Sequence, residues 1–119
     1  MEKSKLSELQ SFEDWKEKLG EESIKSDVCV LVEGINDLRK LSNYGIQNII
    51  VLKGQRFYDV AEKILEKYNK VIILFDLDKH GNKMVQQFKK ILENEGIEVD
   101  LSFREFLKGL NVEEIENLP

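Results

Sequence analysis

Three carboxylates follow two apolar segments of the chain, and they are the strongest sign of chemistry in the sequence. The first segment, residues 28–32, is followed directly by Glu33. The second, residues 71–75, is followed by Asp76 and Asp78. In a parallel α/β sheet the carboxyl ends of the strands lie at one edge, where ligands bind. If the two segments are neighbouring strands, we expect the three acids to meet at that edge.

These three acids are suitable ligands for a divalent metal ion that binds phosphate. Asp76 and Asp78 are two residues apart, so on an extended chain both side chains would point the same way and repel each other. Hard oxygen ligands with open positions for phosphate favour Mg²⁺ or Mn²⁺. Glu33 would either complete the metal shell or act as a general acid or base with a raised pKa. The residues alone leave both roles open.

Two glycines and a fourth acid accompany the three carboxylates. Gly34 follows Glu33 directly, and Gly81 follows Asp78 by three positions. Glycine permits tight turns there and lets a phosphate group approach the main chain. Asp37 lies at the start of a predicted helix on the same edge. It either supports the metal-binding acids or is a favourable charge at a helix N-terminus, and both interpretations remain open.

Basic side chains and the single histidine surround the acids in the sequence. They are Lys53, Arg56, Lys79, His80 and Lys83. Cationic groups beside a metal site are what a phosphodiester substrate would need. The alternative is that each one is an ordinary surface charge, and that His80 is a loop residue without an active role.

The elements that would position these residues alternate between strands and helices. The predicted strands cover residues 28–32, 48–52, 71–75 and 97–101. The predicted helices cover residues 36–44, 57–68 and 82–95, and a last helix opens with a capping box at residues 102–105. Continuous apolar strands between amphipathic helices indicate an α/β fold with a parallel sheet buried on both faces. We expect four strands in the order 2-1-3-4, which places strands one and three side by side.

Two further helical segments flank this α/β core. Residues 2–20 read as a helix that ends at Gly20, with Phe12, Trp15 and Leu19 on one face, a spacing that favours packing over base stacking. We therefore predict a helical extension over residues 1–26, the α/β domain over residues 27–101 and a helical tail over residues 102–119. The three parts are expected to form one compact domain.

Composition sets limits on location and partners. The chain has 119 residues and a net charge of −5, which argues against a broadly basic surface that coats nucleic acid. Neither a membrane-spanning run nor an apolar signal core is present in the sequence, so a cytoplasmic protein is expected. The single cysteine, Cys29, lies inside the first predicted strand and is expected to be buried.

The motifs resemble those of the Toprim domain, a catalytic module of topoisomerases, DnaG-type primases, OLD-family nucleases, RecR recombination proteins and 5S ribosomal RNA maturases. The family pattern is a strand ending in Glu-Gly, often with an Asp three residues beyond, and a later strand ending in Asp-x-Asp-x-x-Gly. The matching positions in this chain are Glu33, Gly34, Asp37, Asp76, Asp78 and Gly81. The resemblance covers roughly residues 27–101.

The resemblance implies a Rossmann-like sheet, Mg²⁺ bound by Asp76 and Asp78, and Glu33 as the general acid/base. It implies Mg²⁺-dependent, nuclease-type phosphodiester chemistry on RNA or DNA. The alternative is a non-catalytic module that binds nucleic acid or a protein partner in a larger complex. Topoisomerases often carry another acid after the last glycine, whereas this chain has Asn82. Aspartyl-phosphate enzymes fit less well, because their Asp-x-Asp motif follows the first strand.

Overall fold

A four-stranded parallel sheet is the centre of the computed structural model, which describes residues 9–119. The strands are β1 (Val28–Val32), β2 (Ile49–Val51), β3 (Lys70–Ile73) and β4 (Glu98–Asp100). Their order across the sheet is β2-β1-β3-β4, and every neighbouring pair is parallel. Val30 of β1 pairs with Ile49 on one side and with Ile72 on the other. The predicted order is therefore confirmed, and β1 and β3 are neighbours.

Within residues 9–119, five α-helices surround the sheet. They are α1 (Phe12–Ser23), α2 (Ile35–Asn43), α3 (Phe57–Lys67), α4 (Lys79–Asn94) and α5 (Ser102–Leu107). Two short 3₁₀ helices, Lys108–Leu110 and Ile115–Asn117, follow α5. The longest helix, α4, has 16 residues. Within residues 9–119 no helix combines the length and the apolar character needed to cross a membrane.

Alternate residues of β1 point to opposite faces of the sheet, and each face has its own core. Cys29 and Leu31 pack on one side against α3 and α4, where Ile64 and Phe88 are fully buried. Burial raises the pKa of the Cys29 thiol to about 12, so the thiol is protonated and unreactive at neutral pH. Both faces of the sheet are covered, which explains why β1, β2 and residues 71–73 of β3 are apolar without alternation.

The other face carries α1, α2, α5 and the end of the chain. Trp15 of α1 is fully buried, and its indole N–H donates a hydrogen bond to the carbonyl oxygen of Phe103, 2.9 Å away. The interpretation of α1 as a packed helix is therefore confirmed. The predicted stop at Gly20 is wrong, because α1 continues to Ser23. The Ser23 hydroxyl accepts a hydrogen bond from the backbone N–H of Gln47 and donates one to Gly20. Residues 2–8 of the predicted helix lie outside the described residues.

Two predicted helix starts differ from the structure for local reasons. Helix α4 begins at Lys79 rather than at residue 82, because the Asp78 carboxylate caps it by accepting the Gly81 N–H at 2.7 Å. The capping box predicted at residues 102–105 does not form. Ser102 instead donates from its backbone N–H and its hydroxyl to Asp100, at 2.9 and 2.6 Å. A buried acid at the end of β4 thus replaces the expected cap.

Candidate functional site

The carboxyl ends of β1 and β3 bring Glu33 and Asp76 into direct contact. Parallel pairing continues past β3, since Leu74 donates its N–H to Leu31 at 2.9 Å. Just beyond, the Glu33 carboxylate accepts the backbone N–H of Asp76, with 2.5 Å between Oε2 and N. The two acids predicted from the ends of different strands therefore lie at one point of the sheet edge.

Each aspartate of the Asp-x-Asp motif is held by a different part of the chain. Oδ1 of Asp76 accepts the backbone N–H of Ile115 at 3.0 Å, whereas Oδ1 of Asp78 accepts that of Gly81. The second oxygen of each aspartate accepts no hydrogen bond from residues 9–119. One oxygen of each side chain thus fixes its position and the other is available to a ligand.

The electrostatics of the edge favour protonated or cation-bound acids. Burial raises the pKa of Glu33, and the charges of Asp76, Asp78 and Asp37 raise it further, against the hydrogen bond from the Asp76 N–H. Burial likewise raises the pKa of Asp76, and the charge of Asp78 adds to the increase, while the Ile115 N–H opposes it. The charge of Arg104 lowers the pKa of Asp76 without cancelling the increase, and a bound cation would lower the pKa values of these acids further.

Asp37 combines the two roles that the sequence left open. Its carboxylate accepts the Gly34 N–H at 3.0 Å and so caps α2. The side chain is only 6% exposed, and burial raises its pKa. The charges of Asp76 and Glu116 raise that pKa further, so Asp37 also belongs to the acidic group at the edge.

A shallow cleft of about 230 Å³ opens at this edge. Its lining combines the acids, the start of α2 and one lysine: Glu33, Gly34, Ile35, Asn36, Asp37, Lys53, Asp76 and Glu116. Lys53 is the only one of the five predicted phosphate-binding residues in this lining. Arg56, Lys79, His80 and Lys83 are exposed around the edge, outside it.

Glu116 reaches the cleft from the C-terminal segment (residues 111–119), which the sequence did not connect with the site. Leu77 donates its N–H to the Glu113 carbonyl at 2.6 Å, next to the Ile115–Asp76 hydrogen bond. The Ile115 and Leu118 side chains are buried and anchor the segment. The sequence feature that could have predicted a packed segment here is the spacing of apolar residues at positions 112, 115 and 118, with acids between them.

Arg104 is a second residue that the sequence analysis missed. It is 4% exposed, and its guanidinium donates to the carbonyl oxygens of Phe75 and Asp76 at 2.9 and 2.7 Å. Arg104 also donates to the side-chain oxygen of Asn82 at 2.7 Å. Asn82 stands where topoisomerases often have an acid, and in this protein its side chain helps to hold Arg104 in place. The sequence feature that could have predicted its burial is an arginine among the apolar residues of α5.

Gly81 is required by the shape of the loop. A Cβ atom at this position would lie 1.8 Å from the carbonyl oxygen of Asp76, a distance that no side chain tolerates. Gly34 is different, because its nearest neighbour to such an atom is an Asp37 oxygen at 3.9 Å. The packing of the protein itself therefore requires glycine at position 81 and not at position 34, and the approach of a phosphate group to either glycine remains a prediction.

The acids provide an open site and not a closed metal cage. Within residues 9–119, no group of three or more His, Cys, Asp or Glu side chains is arranged to hold a metal ion unaided. The donors at the edge are nevertheless all carboxylate oxygens, which suit Mg²⁺ or Mn²⁺. Mg²⁺ commonly uses one or two carboxylates and completes its shell with water and substrate phosphate. The residues fit that kind of site.

Comparison with known proteins agrees with this geometry. The chain is 37% identical over 98 residues to a UPF0292 protein of Thermoplasma volcanium, covering 79% of this chain and 82% of that one. It is 30% identical to the DNA primase DnaG of Thermoplasma acidophilum over 87% of this chain, but spans only 25% of the primase.

Two solved structures from Aquifex aeolicus share the fold. One protein superposes with a TM-score of 0.86 and 40% identity, over 92% of this chain and all of that chain. The primase, comprising zinc-binding and RNA polymerase domains, gives a TM-score of 0.53 and 30% identity over 79% of this chain and 24% of its own. The Toprim-like family profile matches residues 30–114, from β1 through the acids to the C-terminal segment. The chain belongs to the Toprim family.

Proposed function

We propose that this protein acts on nucleic acid by Mg²⁺-dependent, nuclease-type phosphodiester chemistry at the edge formed by Glu33, Asp76 and Asp78. The observation that carries the proposal is the contact between the Glu33 carboxylate and the Asp76 backbone, which joins the two acidic motifs at one point. The relationship to primases, proteins named for their action on DNA, supports nucleic acid as the substrate class.

Asp76 and Asp78 are the residues that would hold Mg²⁺ or Mn²⁺. Each keeps one carboxylate oxygen on a backbone N–H and has a second oxygen for a ligand. The bound ion would supply charge stabilisation at the phosphate oxygens. The open coordination of the site leaves room for the substrate to provide the remaining ligands.

Glu33 would act as the general acid or base. Its raised pKa brings it closer to neutral pH, where a carboxyl group exchanges protons efficiently with an attacking or leaving oxygen. Lys53 lines the same cleft and would bind a nonbridging phosphate oxygen through its ammonium group. Lys53 would thus bind the negative charge of the substrate, and Glu33 would transfer the proton.

A titration with Mg²⁺ and Mn²⁺, with and without short RNA and DNA strands, tests this proposal. Calorimetry would measure metal binding, and gel analysis of end-labelled strands would measure cleavage. The variants are Glu33→Gln and Asp76→Asn, and Asp27→Asn serves as the control because Asp27 is an exposed acid just before β1, at the opposite edge. Circular dichroism would verify the fold of each variant.

We expect metal binding that tightens with nucleic acid and cleavage that requires metal. Asp76→Asn should weaken metal binding, Glu33→Gln should lower cleavage by about 10²- to 10⁴-fold, and Asp27→Asn should behave as wild type. Absence of metal-dependent cleavage of both RNA and DNA would overturn the proposed chemistry.

A non-catalytic module is the second candidate, and two observations favour it. The C-terminal segment occupies one oxygen of Asp76 through the Ile115 N–H, and within residues 9–119 no three His, Cys, Asp or Glu side chains are arranged to hold a metal ion. Such a module would bind nucleic acid or a protein partner in a larger complex, without turnover. The same titration distinguishes the two candidates, since this one predicts binding that Glu33→Gln leaves unchanged and no cleavage.

A further inference from the structure

The loop after β2, residues 52–56, is fixed directly beside the proposed catalytic glutamate. The backbone N–H of Lys53 donates to the Glu33 carbonyl oxygen at 2.9 Å, and that of Leu52 donates to Val32 at 2.9 Å. The loop therefore extends the parallel pairing of β1 and β2 past the end of both strands. This main-chain hydrogen bond holds Lys53 next to Glu33 in any conformation of the Lys53 side chain.

The one amide side chain of this loop, on Gln55, connects the loop to β2 and α3. Gln55 donates from Nε2 to the Val51 carbonyl at 2.8 Å and accepts a hydrogen bond from the Lys63 ammonium group. Its backbone N–H closes a turn onto Leu52 at 3.0 Å, with Gly54 at a φ of 77°. The loop thus has a defined shape without using its two basic side chains.

Those two basic side chains, on Lys53 and Arg56, face solvent. Both residues are exposed, and neither forms an ion pair within residues 9–119. Residues 52–58 contain these two cations, and the next acid is Asp59 in the first turn of α3. Two exposed cations beside the acidic edge are the kind of side chains that bind a phosphate backbone.

An aromatic side chain stands at the end of the same loop. Tyr58 is 73% exposed, the highest value among the large hydrophobic residues exposed within residues 9–119. The start of α3 is held in place by its neighbour Phe57, whose ring stacks on Phe88 with centroids 4.0 Å apart. Helical side chains lean toward the N-terminus of their helix, so Tyr58 leans toward the carboxyl edge of the sheet.

We propose that Lys53, Arg56 and Tyr58 form a binding surface for single-stranded nucleic acid, in which the two cations hold phosphates and the Tyr58 ring stacks on a base. The proposal rests on the proposed function and adds strand selectivity to it. A base inside a duplex is already stacked on its neighbours and leaves no free face for Tyr58, so single strands are preferred. The same surface would guide the adjoining phosphate toward Glu33 and Asp76.

The test measures binding of short strands that carry the fluorescent base 2-aminopurine. Anisotropy would give the affinity, and quenching of 2-aminopurine would report stacking, for single-stranded RNA, single-stranded DNA and a duplex of the same sequence. Tyr58→Ala removes the ring and Tyr58→Phe retains it. Ile24→Ala is the matched control, because Ile24 is a 62% exposed apolar residue just after α1, near the opposite edge of the sheet.

For Tyr58→Ala we expect an affinity loss of about 5- to 100-fold for single strands and loss of quenching. Tyr58→Phe and Ile24→Ala should match wild type in both readouts, and the duplex should bind more weakly than either single strand. Unchanged affinity and quenching in Tyr58→Ala, with metal-dependent binding intact, would overturn this surface and leave the proposed function standing. No binding of any strand by wild type would overturn both.

Discussion

The carboxylate of Glu33 accepts the backbone N–H of Asp76, at 2.5 Å, and so joins the residue that directly follows β1 to the first acid of the Asp-x-Asp motif. The contact depends on β1 and β3 being neighbours in the sheet. The contact also brings the Glu33 carboxylate close to the half-buried carboxylate of Asp76. The free energy of unfolding is therefore expected to depend on both pH and divalent ions.

Without divalent ions, the free energy of unfolding should fall as pH rises from about 4 toward neutrality. Folding raises the pKa of Glu33 above 4.5 and the pKa values of Asp37 and Asp76 above 3.8. The folded state then binds more protons than the unfolded state between the ordinary and the raised pKa values, so stability is lost through that window as pH increases. Urea denaturation in EDTA at several pH values would measure it.

The variant Glu33→Gln isolates one contribution to this pH dependence. Its stability relative to wild type should increase as pH rises, because the charge that is costly in the folded state is absent. Glu62→Gln, a change at an exposed acid of α3, is the matched control. A stability difference between Glu33→Gln and wild type that stays constant with pH would contradict this explanation.

Replacement of Gly81 by alanine should destabilise the protein and distort the acidic edge. The added Cβ would lie 1.8 Å from the Asp76 carbonyl oxygen, so the loop between β3 and α4 must shift. We expect a loss of about 1–3 kcal/mol, as for other overpacked sites, measured by thermal and urea denaturation.

Gly109→Ala provides the control for this change. Apart from its chain neighbours and the adjacent backbone of its own turn, no heavy atom of residues 9–119 lies within 4 Å of the corresponding Cβ position at Gly109. Its effect on stability should stay within about 0.5 kcal/mol. Equal effects of the two substitutions would contradict the steric explanation.

Arg104→Lys should weaken the support beneath the Asp-x-Asp motif. Lysine lacks the planar fork that reaches the Phe75 and Asp76 carbonyl oxygens together, so at least one buried acceptor loses its donor. A cost of about 1–3 kcal/mol is expected from an unsatisfied buried group. Arg39→Lys, on the exposed side of α2, should be nearly neutral in the same denaturation assay.

Neutralising Glu116 should change metal binding and stability in opposite directions. Its charge raises the pKa values of Asp37 and Asp76, so Glu116→Gln should stabilise the metal-free protein at neutral pH. The same change lowers the negative potential of the cleft and should reduce Mg²⁺ affinity in calorimetry. Glu62→Gln should alter neither property, and tighter Mg²⁺ binding by Glu116→Gln would contradict this account.

Much of the fold follows from local patterns in the sequence. Apolar strands alternating with amphipathic helices were sufficient for the sheet order, because right-handed crossovers restrict how such units connect. Element ends were less predictable. Leu74 and Phe75 are fully buried, and Leu74 still donates its N–H to Leu31, yet the regular strand β3 ends at Ile73. Apolar character indicates burial, and it does not show where a regular strand ends.

The missed parts of the site depend on contacts between residues far apart in the chain. Arg104 reaches Asp76 across 28 positions, and Ile115 reaches it across 39. Neither contact leaves a periodic signal, because each is a single hydrogen bond between a loop and a distant segment. The strand-end acids, by contrast, are placed by the sheet itself. That difference explains why Glu33 and Asp76 were found while Arg104 and Glu116 were not.

The steric role of Gly81 has a consequence for tracing the ancestry of such proteins. The proposed chemistry would constrain the acids, whereas the path of the backbone between β3 and α4 constrains this glycine. A related chain that lost the proposed reaction would be free to replace its carboxylates, but it would need the glycine for as long as it kept this loop. In a divergent sequence, glycine at this position would therefore identify the shape of the loop, and only the acids beside it would point to the proposed chemistry.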